Sequence, residues 1–130
     1  DLAGAEPMDT EGQGRSFASA LADPRANDRD FTVGYAEYFG SRFWLTQRVI
    51  WDDQWKLVWN WFDEDELYKL DDDPQELRNR IDDPACADVA QRMMKQAWRH
   101  VRDTGDASLL NSQYPILRTS LVGPEVLPDE

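Results

Sequence analysis

Few side chains in this sequence could act as nucleophile or base, since it has one cysteine and one histidine. A cysteine nucleophile needs a base, and histidine most often supplies one near neutral pH. Cys86 falls in the first turn of a predicted helix, a position that favours a reactive thiolate, but no histidine lies near it in the sequence. We therefore expect Cys86 to be buried and inert, and His100, between Arg99 and Arg102, to be a surface residue.

A run of carboxylates is the next candidate for chemistry, because calcium prefers oxygen ligands. A calcium loop wraps such ligands around one ion and usually has a glycine at its sharp turn. Here a predicted strand separates two acidic groups, and neither has the spacing of an EF-hand. We expect a solvated turn and a helix cap from this run, which comprises Asp63, Glu64, Asp65, Glu66, Asp71, Asp72 and Asp73.

Tryptophans are concentrated in one part of the chain. Five of the six lie within eighteen residues: Trp44, Trp51, Trp55, Trp59 and Trp61. They could stack on a sugar, but the alternation of the last four favours the core of a sheet. One helix is a small cover for so much indole, so we expect an apolar sheet face left for another domain. Arg42 and Trp44, before the second predicted strand, are the candidate substrate-binding residues.

Composition limits the classes of protein. A chain of 130 residues forms one domain at most. Its net charge of −12 repels phosphate backbones and anionic lipid surfaces, so we expect neither nucleic-acid nor membrane binding. No apolar run approaches the ~20 residues of a membrane helix. The single cysteine excludes an internal disulfide and does not place the cellular compartment. Assembly into a homo-oligomer stays open.

Period-two alternation of β-favouring residues predicts four strands, over residues 31–38, 45–51, 55–61 and 66–70. Asp52-Asp53-Gln54 suits a tight hairpin between the second and third strands. A second acidic turn, at residues 63–65, precedes the fourth strand. Because the strands come before the helices without β-α alternation, the sheet should be antiparallel.

Helix signals follow the strands. Asp73, Pro74 and Glu76 have the spacing of a capping box with proline at the first helical position, which predicts a helix start. Asp83 and Pro84 repeat the signal and predict a long helix to about residue 103, ending near a glycine. Its apolar positions recur at intervals of three and four: Cys86, Val89, Ala90, Met93, Ala97, Trp98 and Val101. Shorter helical segments are predicted at 16–21 and near Leu109 and Leu110.

These elements predict an α+β fold, with a small antiparallel sheet of about four strands and one long C-terminal helix packed on one face. We expect residues 1–30 to be a connector with a short helix, 31–112 the α+β subdomain and 113–130 an irregular tail. The first residues lack the basic and apolar regions of a signal peptide. With no initiator methionine, we expect a cut product of a longer protein.

Two stretches carry a resemblance to a known family. One is Asp1-Leu2-Ala3-Gly4 with Gly14-Arg15-Ser16-Phe17 and Leu21. The other comprises Arg48-Val49-Ile50, Trp55-Lys56-Leu57-Val58, Glu66-Leu67-Tyr68, Leu70, Asp73-Pro74, Glu76 and Asn79. Together they cover about half of the chain and resemble the C-terminal parts of type I sulfatases in the alkaline phosphatase superfamily. The long helix after Pro84 fits the layout of that family.

The resemblance implies sulfuric-ester hydrolysis by a larger protein, whose N-terminal catalytic domain this subdomain would support and whose pocket it would line through Arg42 and Trp44. It also implies calcium and a formylglycine made from Cys or Ser in a Cys/Ser-x-Pro-x-Arg motif. Cys86 is followed by Ala87-Asp88-Val89, so no catalytic residue and no metal ligand carries over to this chain.

Other interpretations stay open. Related phosphonate monoester hydrolases and phosphodiesterases look similar in this segment, so sulfur and phosphorus esters are not separated. A free-standing binding or adaptor module with a tryptophan-rich face is a second hypothesis. A small complete enzyme is a third, which one histidine and one cysteine disfavour.

Overall fold

The computed structural model describes residues 4, 18–23, 25, 33–40, 46–110 and 121–123. The chain divides into two compact units, Asp1–Thr32 and Val33–Glu130. In the first unit, helix α1 spans Ala18–Ala22 and overlaps the short helix predicted at residues 16–21. None of the described helices combines the length and hydropathy that crossing a membrane requires.

The second unit contains a four-stranded antiparallel sheet in the order β1-β2-β3-β4. Its strands are Val33–Tyr38, Gln47–Asp52, Trp55–Asn60 and Glu66–Lys69. The predicted α+β class is confirmed, with strand ends shifted by one or two residues. Asp53 takes a positive φ of 55° in the two-residue connection that makes the predicted tight hairpin. Residues 31, 32 and 45 of the predicted strands lie outside the described residues.

The register sets which side chains share a face of the sheet. Asp52 pairs with Trp55, and Ile50 pairs with Leu57, so even-numbered residues of β2 lie beside odd-numbered residues of β3. Trp51 pairs with Lys56 and therefore lies on the other face from Trp55. Grouping Trp51 with the other sheet tryptophans was wrong. The hairpin has an even number of connecting residues, which reverses the parity between the two strands.

The long helix begins and ends where the sequence predicts. The Asp83 carboxylate accepts from the Ala85 N–H at 3.0 Å, and a 3₁₀ turn, Pro84–Cys86, leads into α2, Ala87–Asp103. At its end Gly105 has a φ of 64°. The Asp106 N–H there donates to the Val101 carbonyl at 3.0 Å, as in a Schellman motif. Helix α3, Ala107–Leu110, follows as the short predicted helix.

Helix α2 covers the sheet with one apolar stripe, formed by the buried residues Ala90, Met93, Met94, Ala97, Trp98 and Val101. The Trp98 ring packs edge-on against Trp59, with centroids 4.7 Å apart, and its indole N–H donates to the Val122 carbonyl at 2.8 Å. Trp59 and Trp61 are buried, which confirms the core interpretation for them, whereas Trp51 and Trp55 are half-buried.

The helix predicted at Asp73 does not form. The Asp73 carboxylate accepts from the Leu77 N–H at 3.0 Å and the Arg78 N–H at 2.9 Å, so it caps a turn. Glu76 adopts a positive φ of 55°, which a helix does not permit, and its carboxylate pairs with Lys56 at 2.6 Å. The local capping signal is real, but contacts with β3 redirect the chain.

The segment after this turn follows the outer edge of β4. The Asn79 side-chain oxygen accepts from the Leu67 N–H at 3.0 Å, and its amide donates to the Asp65 carbonyl at 3.0 Å. The Arg80 N–H donates to the Leu67 carbonyl at 2.8 Å. These bonds satisfy edge groups of β4 that would otherwise be open to another strand.

A bare apolar sheet face was expected, and the described residues do not show one. On the face opposite α2, Val58 is 5% exposed and Tyr68 is 9% exposed. Lys56 reaches over the Trp51 ring on the same face, 5.9 Å from its centroid. Most described apolar side chains with high exposure instead lie outside the strands or at strand ends, as Leu77 and Val33 do.

Candidate functional site

A buried arginine is the centre of the most extensive polar cluster that the structure describes. Arg48 is fully buried, on the sheet face that α2 covers. Its Nη2 and Nε donate to Asp106 Oδ2 at 2.5 and 3.2 Å, a double charge-assisted contact. Nη2 also donates to Ser108 Oγ at 3.2 Å. The cluster thus joins β2 to the chain that follows α2.

Asp106 is held in its charged form by these neighbours. Burial alone would raise the pKa of this carboxyl group, but hydrogen bonds from Ser108 and Arg48 outweigh burial and hold the pKa below its usual value. Ser108 donates to Asp106 Oδ1 twice, from its hydroxyl at 2.5 Å and from its N–H at 3.1 Å. The ion pair with Arg48 is therefore present at neutral pH.

Further contacts of the guanidinium reach residues that flank the connection between β1 and β2 in the sequence. Arg48 Nη1 donates to Thr46 Oγ1 at 2.7 Å and to the Gln47 carbonyl at 3.0 Å. The Thr46 hydroxyl donates in turn to the Tyr38 carbonyl at 3.2 Å. The guanidinium also lies over the Phe39 ring, 4.6 Å from its centroid. Contacts from one side chain thus reach residues on both sides of the connection.

These contacts use all five N–H donors of the Arg48 guanidinium. A guanidinium with no remaining donor cannot bind a sulfate or phosphate. Its charge is further balanced by Glu37, whose carboxylate lies 3.8 Å from Nε. The arrangement suits it to holding parts of the fold together rather than to binding an anion.

Tyr35 and His100 lie next to this cluster. Their ring centroids are 3.6 Å apart with the planes tilted by 35°. Burial raises the pKa of Tyr35 above its usual range, and the neighbouring Arg48 guanidinium opposes this rise. The expectation of a surface His100 was wrong, because the imidazole is half-buried against Tyr35. The β1 register, which places Tyr35 opposite Ile50 under α2, accounts for this.

The acidic run is occupied by local hydrogen bonds. Asp65 Oδ1 accepts from the Asn60 N–H at 2.8 Å, and burial raises the pKa of Asp65 to about 6. Glu66 Oε2 accepts from the Tyr68 hydroxyl at 2.8 Å, and Asp72 pairs with Lys69 at 2.9 Å. The turn interpretation is confirmed, with Asp73 capping a turn instead of a helix.

The calcium and the formylglycine that the resemblance implies do not fit the residues described here. Across the described ranges no group of three or more His, Cys, Asp or Glu could hold a metal ion. Cys86 is buried in the 3₁₀ turn before α2, as expected of an inert thiol, and lacks the Cys-x-Pro-x-Arg context. No catalytic step can be assigned to these side chains.

The candidate substrate-binding residues Arg42 and Trp44 lie outside the described residues. They belong to the connection between β1 and β2, whose described neighbours are Gly40 and Thr46. Sequence reasoning missed Arg48 as the residue that contacts both sides of this connection. The period-two alternation of the second strand puts Arg48 on one face with Thr46 and Ile50, and this was the available signal.

Comparisons with known proteins complete the description. The family model described as N-sulphoglucosamine sulphohydrolase, C-terminal, matches residues 1–103. The uncharacterized sulfatase YidJ of Escherichia coli strain K12 is 46% identical over 80 residues, which cover 57% of this chain and 15% of that protein. The chain therefore spans a small part of the length of this curated relative.

A solved structure shares the fold. It is that of BT4656 in complex with its substrate, D-glucosamine-2-N,6-O-disulfate, and it superposes with a TM-score of 0.61 at 23% identity. The match covers 81% of this chain and 22% of that one.

Proposed function

The chain belongs to the family described as N-sulphoglucosamine sulphohydrolase, C-terminal, and we propose that it is the non-catalytic C-terminal subdomain of a sulfatase. In this proposal it supports the catalytic domain of a longer protein and lines part of its substrate pocket. The family match over residues 1–103 carries the proposal. The small shares of the relatives covered, 15% and 22%, support a longer protein.

The contacts of the described polar side chains favour a structural role for this subdomain. Arg48 uses its donors within the fold, Cys86 is buried, and His100 packs on Tyr35. A nucleophile and its base need to lie within hydrogen-bond reach of one another. Among the described residues, Arg48 and Asp106 instead link the sheet to the turn that follows α2.

The chemistry would belong to the catalytic domain. There, formylglycine would supply the nucleophile and calcium the positive charge that stabilises the transferred sulfate. This chain would contribute a fixed surface beside that site. Sulfuric-ester hydrolysis is the activity we propose for the longer protein, with the catalytic domain as the partner of this one.

Arg42 and Trp44 are the residues that we propose line the pocket. A guanidinium binds the oxygens of a sulfate through two parallel hydrogen bonds, and an indole covers the apolar face of a sugar ring. The substrate of BT4656 is a sulfated glucosamine. We therefore propose a sulfated sugar as the substrate class, bound in part by these two side chains.

Steady-state kinetics of the longer protein tests the proposal, with a sulfated glucosamine and a simple aryl sulfate as substrates. Arg42→Ala and Trp44→Ala should each raise KM for the sugar about 10-fold and leave kcat within about twofold, because they remove binding rather than chemistry. The exposed Arg99, replaced by alanine, is the matched control. Unchanged KM in both variants would remove the pocket role, and a loss confined to kcat would contradict non-catalytic binding.

A further inference from the structure

We propose that the outer edge of β1 is an interaction surface, and that the segment it takes is an extended strand of the catalytic domain. The sheet would then continue across the boundary between the two domains through main-chain hydrogen bonds, a mode known as β-augmentation. The inference rests on the proposed function for the existence of that catalytic domain, and it adds which surface of this subdomain the domain contacts. The surface is β1 itself, Val33–Tyr38.

The sheet has two edge strands, β1 and β4, and their outer edges differ. At β4, Asn79 and Arg80 bond to main-chain groups of Asp65 and Leu67. At β1, all six residues pair with β2, and within the described part of the second unit no main-chain group bonds to the far side of the strand. An unpaired row of N–H and C=O groups is a template on which another strand can pair.

The features by which proteins usually protect an exposed edge are missing from β1. Proline, lysine and β-bulges are among the commonest of them. The strand, Val-Gly-Tyr-Ala-Glu-Tyr, has no proline or lysine, and its pairing with β2 runs from Val33 to Tyr38 without interruption. Its one charged residue is Glu37, whose carboxylate lies 3.8 Å from Arg48 Nε. We therefore expect this edge to be covered in the longer protein.

Apolar side chains are exposed at both ends of this edge. Val33 is 61% exposed and Tyr38 is 50% exposed. They lie on opposite faces of the sheet, because their positions differ by an odd number of residues. Between them, Gly34 and Ala36 place little side chain in the way of an approaching backbone. The strand that fits this edge therefore has low charge and carries an apolar residue on each of its faces.

Charge and chain length favour a strand of the same polypeptide as the occupant. Two copies of this chain, each with a net charge of −12, repel one another, which disfavours pairing between β1 strands of two copies. The relatives are much longer than this chain, which covers 15% and 22% of them. A domain joined to this one by the chain has a high effective concentration, so even a short main-chain pairing with it is favoured.

Site-resolved amide hydrogen exchange in the longer protein tests the inference. In an antiparallel pair, the N–H groups of alternate residues face the neighbouring strand and the others face away. A free edge therefore protects every second amide of β1, whereas a covered edge protects all of them. We expect exchange at each amide from residue 33 to residue 38 to be slowed about 100-fold or more, as in β2, the internal control. Alternating protection along β1 would overturn the inference.

Pairing with a second copy is the competing outcome. The exchange is therefore measured at a low and a high protein concentration, with the molar mass followed by light scattering. Protection of every β1 amide in the monomer would support the catalytic domain as the occupant. If the outward amides are protected only when the protein dimerises, β1 pairs between copies and the proposal is wrong.

A lysine at this edge tests the same surface through stability. Val33 is exposed within this chain, so Val33→Lys should change little if the edge is free. If a strand covers it, the apparent unfolding temperature of the longer protein should fall by about 3 °C or more. Leu77→Lys is the matched control, because Leu77 is 85% exposed on the turn after β4, and should shift that temperature by less than about 1 °C. Equal shifts in the two variants, or none in Val33→Lys, would contradict the inference.

The outcomes separate this inference from the proposed function. Alternating protection of β1, together with the KM increases expected of the pocket variants, would leave the proposed function in place and remove the inference. Full protection of β1 with unchanged KM would support the contact between the domains and remove the pocket role.

Discussion

Arg48 and Asp106, 58 positions apart in the sequence, form a buried ion pair that joins β2 to the turn after α2. The pair lies between a sheet strand and the end of the helix that covers it. Its contacts continue through Thr46 to the Tyr38 carbonyl at the end of β1. One side chain therefore links three parts of the fold.

Asp106→Asn should destabilise the fold strongly, because it leaves the buried Arg48 charge with only the more distant Glu37 carboxylate, 3.8 Å from Nε, as a counter-charge. We expect a loss of about 3–5 kcal/mol in the free energy of unfolding, measured by urea denaturation. Asp103→Asn, at the exposed end of α2, is the matched control and should change stability by less than about 0.5 kcal/mol. Equal effects of the two substitutions would show that the ion pair adds no more to the free energy of unfolding than an exposed carboxylate does.

Asp65 should make the fold more stable as the pH falls from about 7 towards 4. Its folded pKa of about 6 lies above the ordinary value of 3.8, so the folded state binds a proton more tightly than the unfolded state does. The loss of stability caused by the charged Asp65 is fully present above pH 6 and absent below the unfolded pKa. Allowing for partial solvent exposure, it amounts to about 1–2 kcal/mol.

Asp65→Asn tests this, because an amide oxygen can still accept from the Asn60 N–H. The difference in unfolding free energy between variant and parent, followed from pH 4 to pH 7.5, should grow in favour of the variant. Using a difference cancels the opposing loss of stability in acid from Asp106, whose pKa is lowered. A difference that is flat across this range would contradict the prediction.

Trp98→Ala should be far more damaging than Trp51→Ala. Trp98 is 1% exposed, packs on Trp59 and donates to the Val122 carbonyl, so its removal leaves a cavity and loses this hydrogen bond. We expect a loss of about 3–5 kcal/mol for Trp98→Ala. Because Trp51 is half-buried on the other sheet face, Trp51→Ala should lower the free energy of unfolding by less than about 2 kcal/mol. Thermal unfolding of both variants checks the order, which a reversed result would refute.

Much of the fold could be predicted because its signals are local. Period-two alternation located the four strands, and the apolar stripe with Asp83, Pro84 and Gly105 located α2 and its ends. The helix predicted at Asp73 failed for a non-local reason. The pairing of Glu76 with Lys56 and the contacts of the following segment with β4 outweigh the capping signal.

The candidate site was less predictable. Alternation could place Arg48 on one sheet face, but nothing local names Asp106 as its partner. The face occupied by Trp51 depends on the number of residues in one hairpin, which composition does not determine. Arg42 and Trp44 stay a prediction, because they lie outside the described residues.

Ester hydrolysis by the 130-residue chain itself is the most direct test of the central claim that this subdomain carries no catalytic residue. Purified chain should release no product from an aryl sulfate above the rate of buffer, while the longer protein, as the positive control, turns it over. Turnover by the chain that is lost on Cys86→Ser or His100→Gln would contradict the claim and make this polypeptide an enzyme.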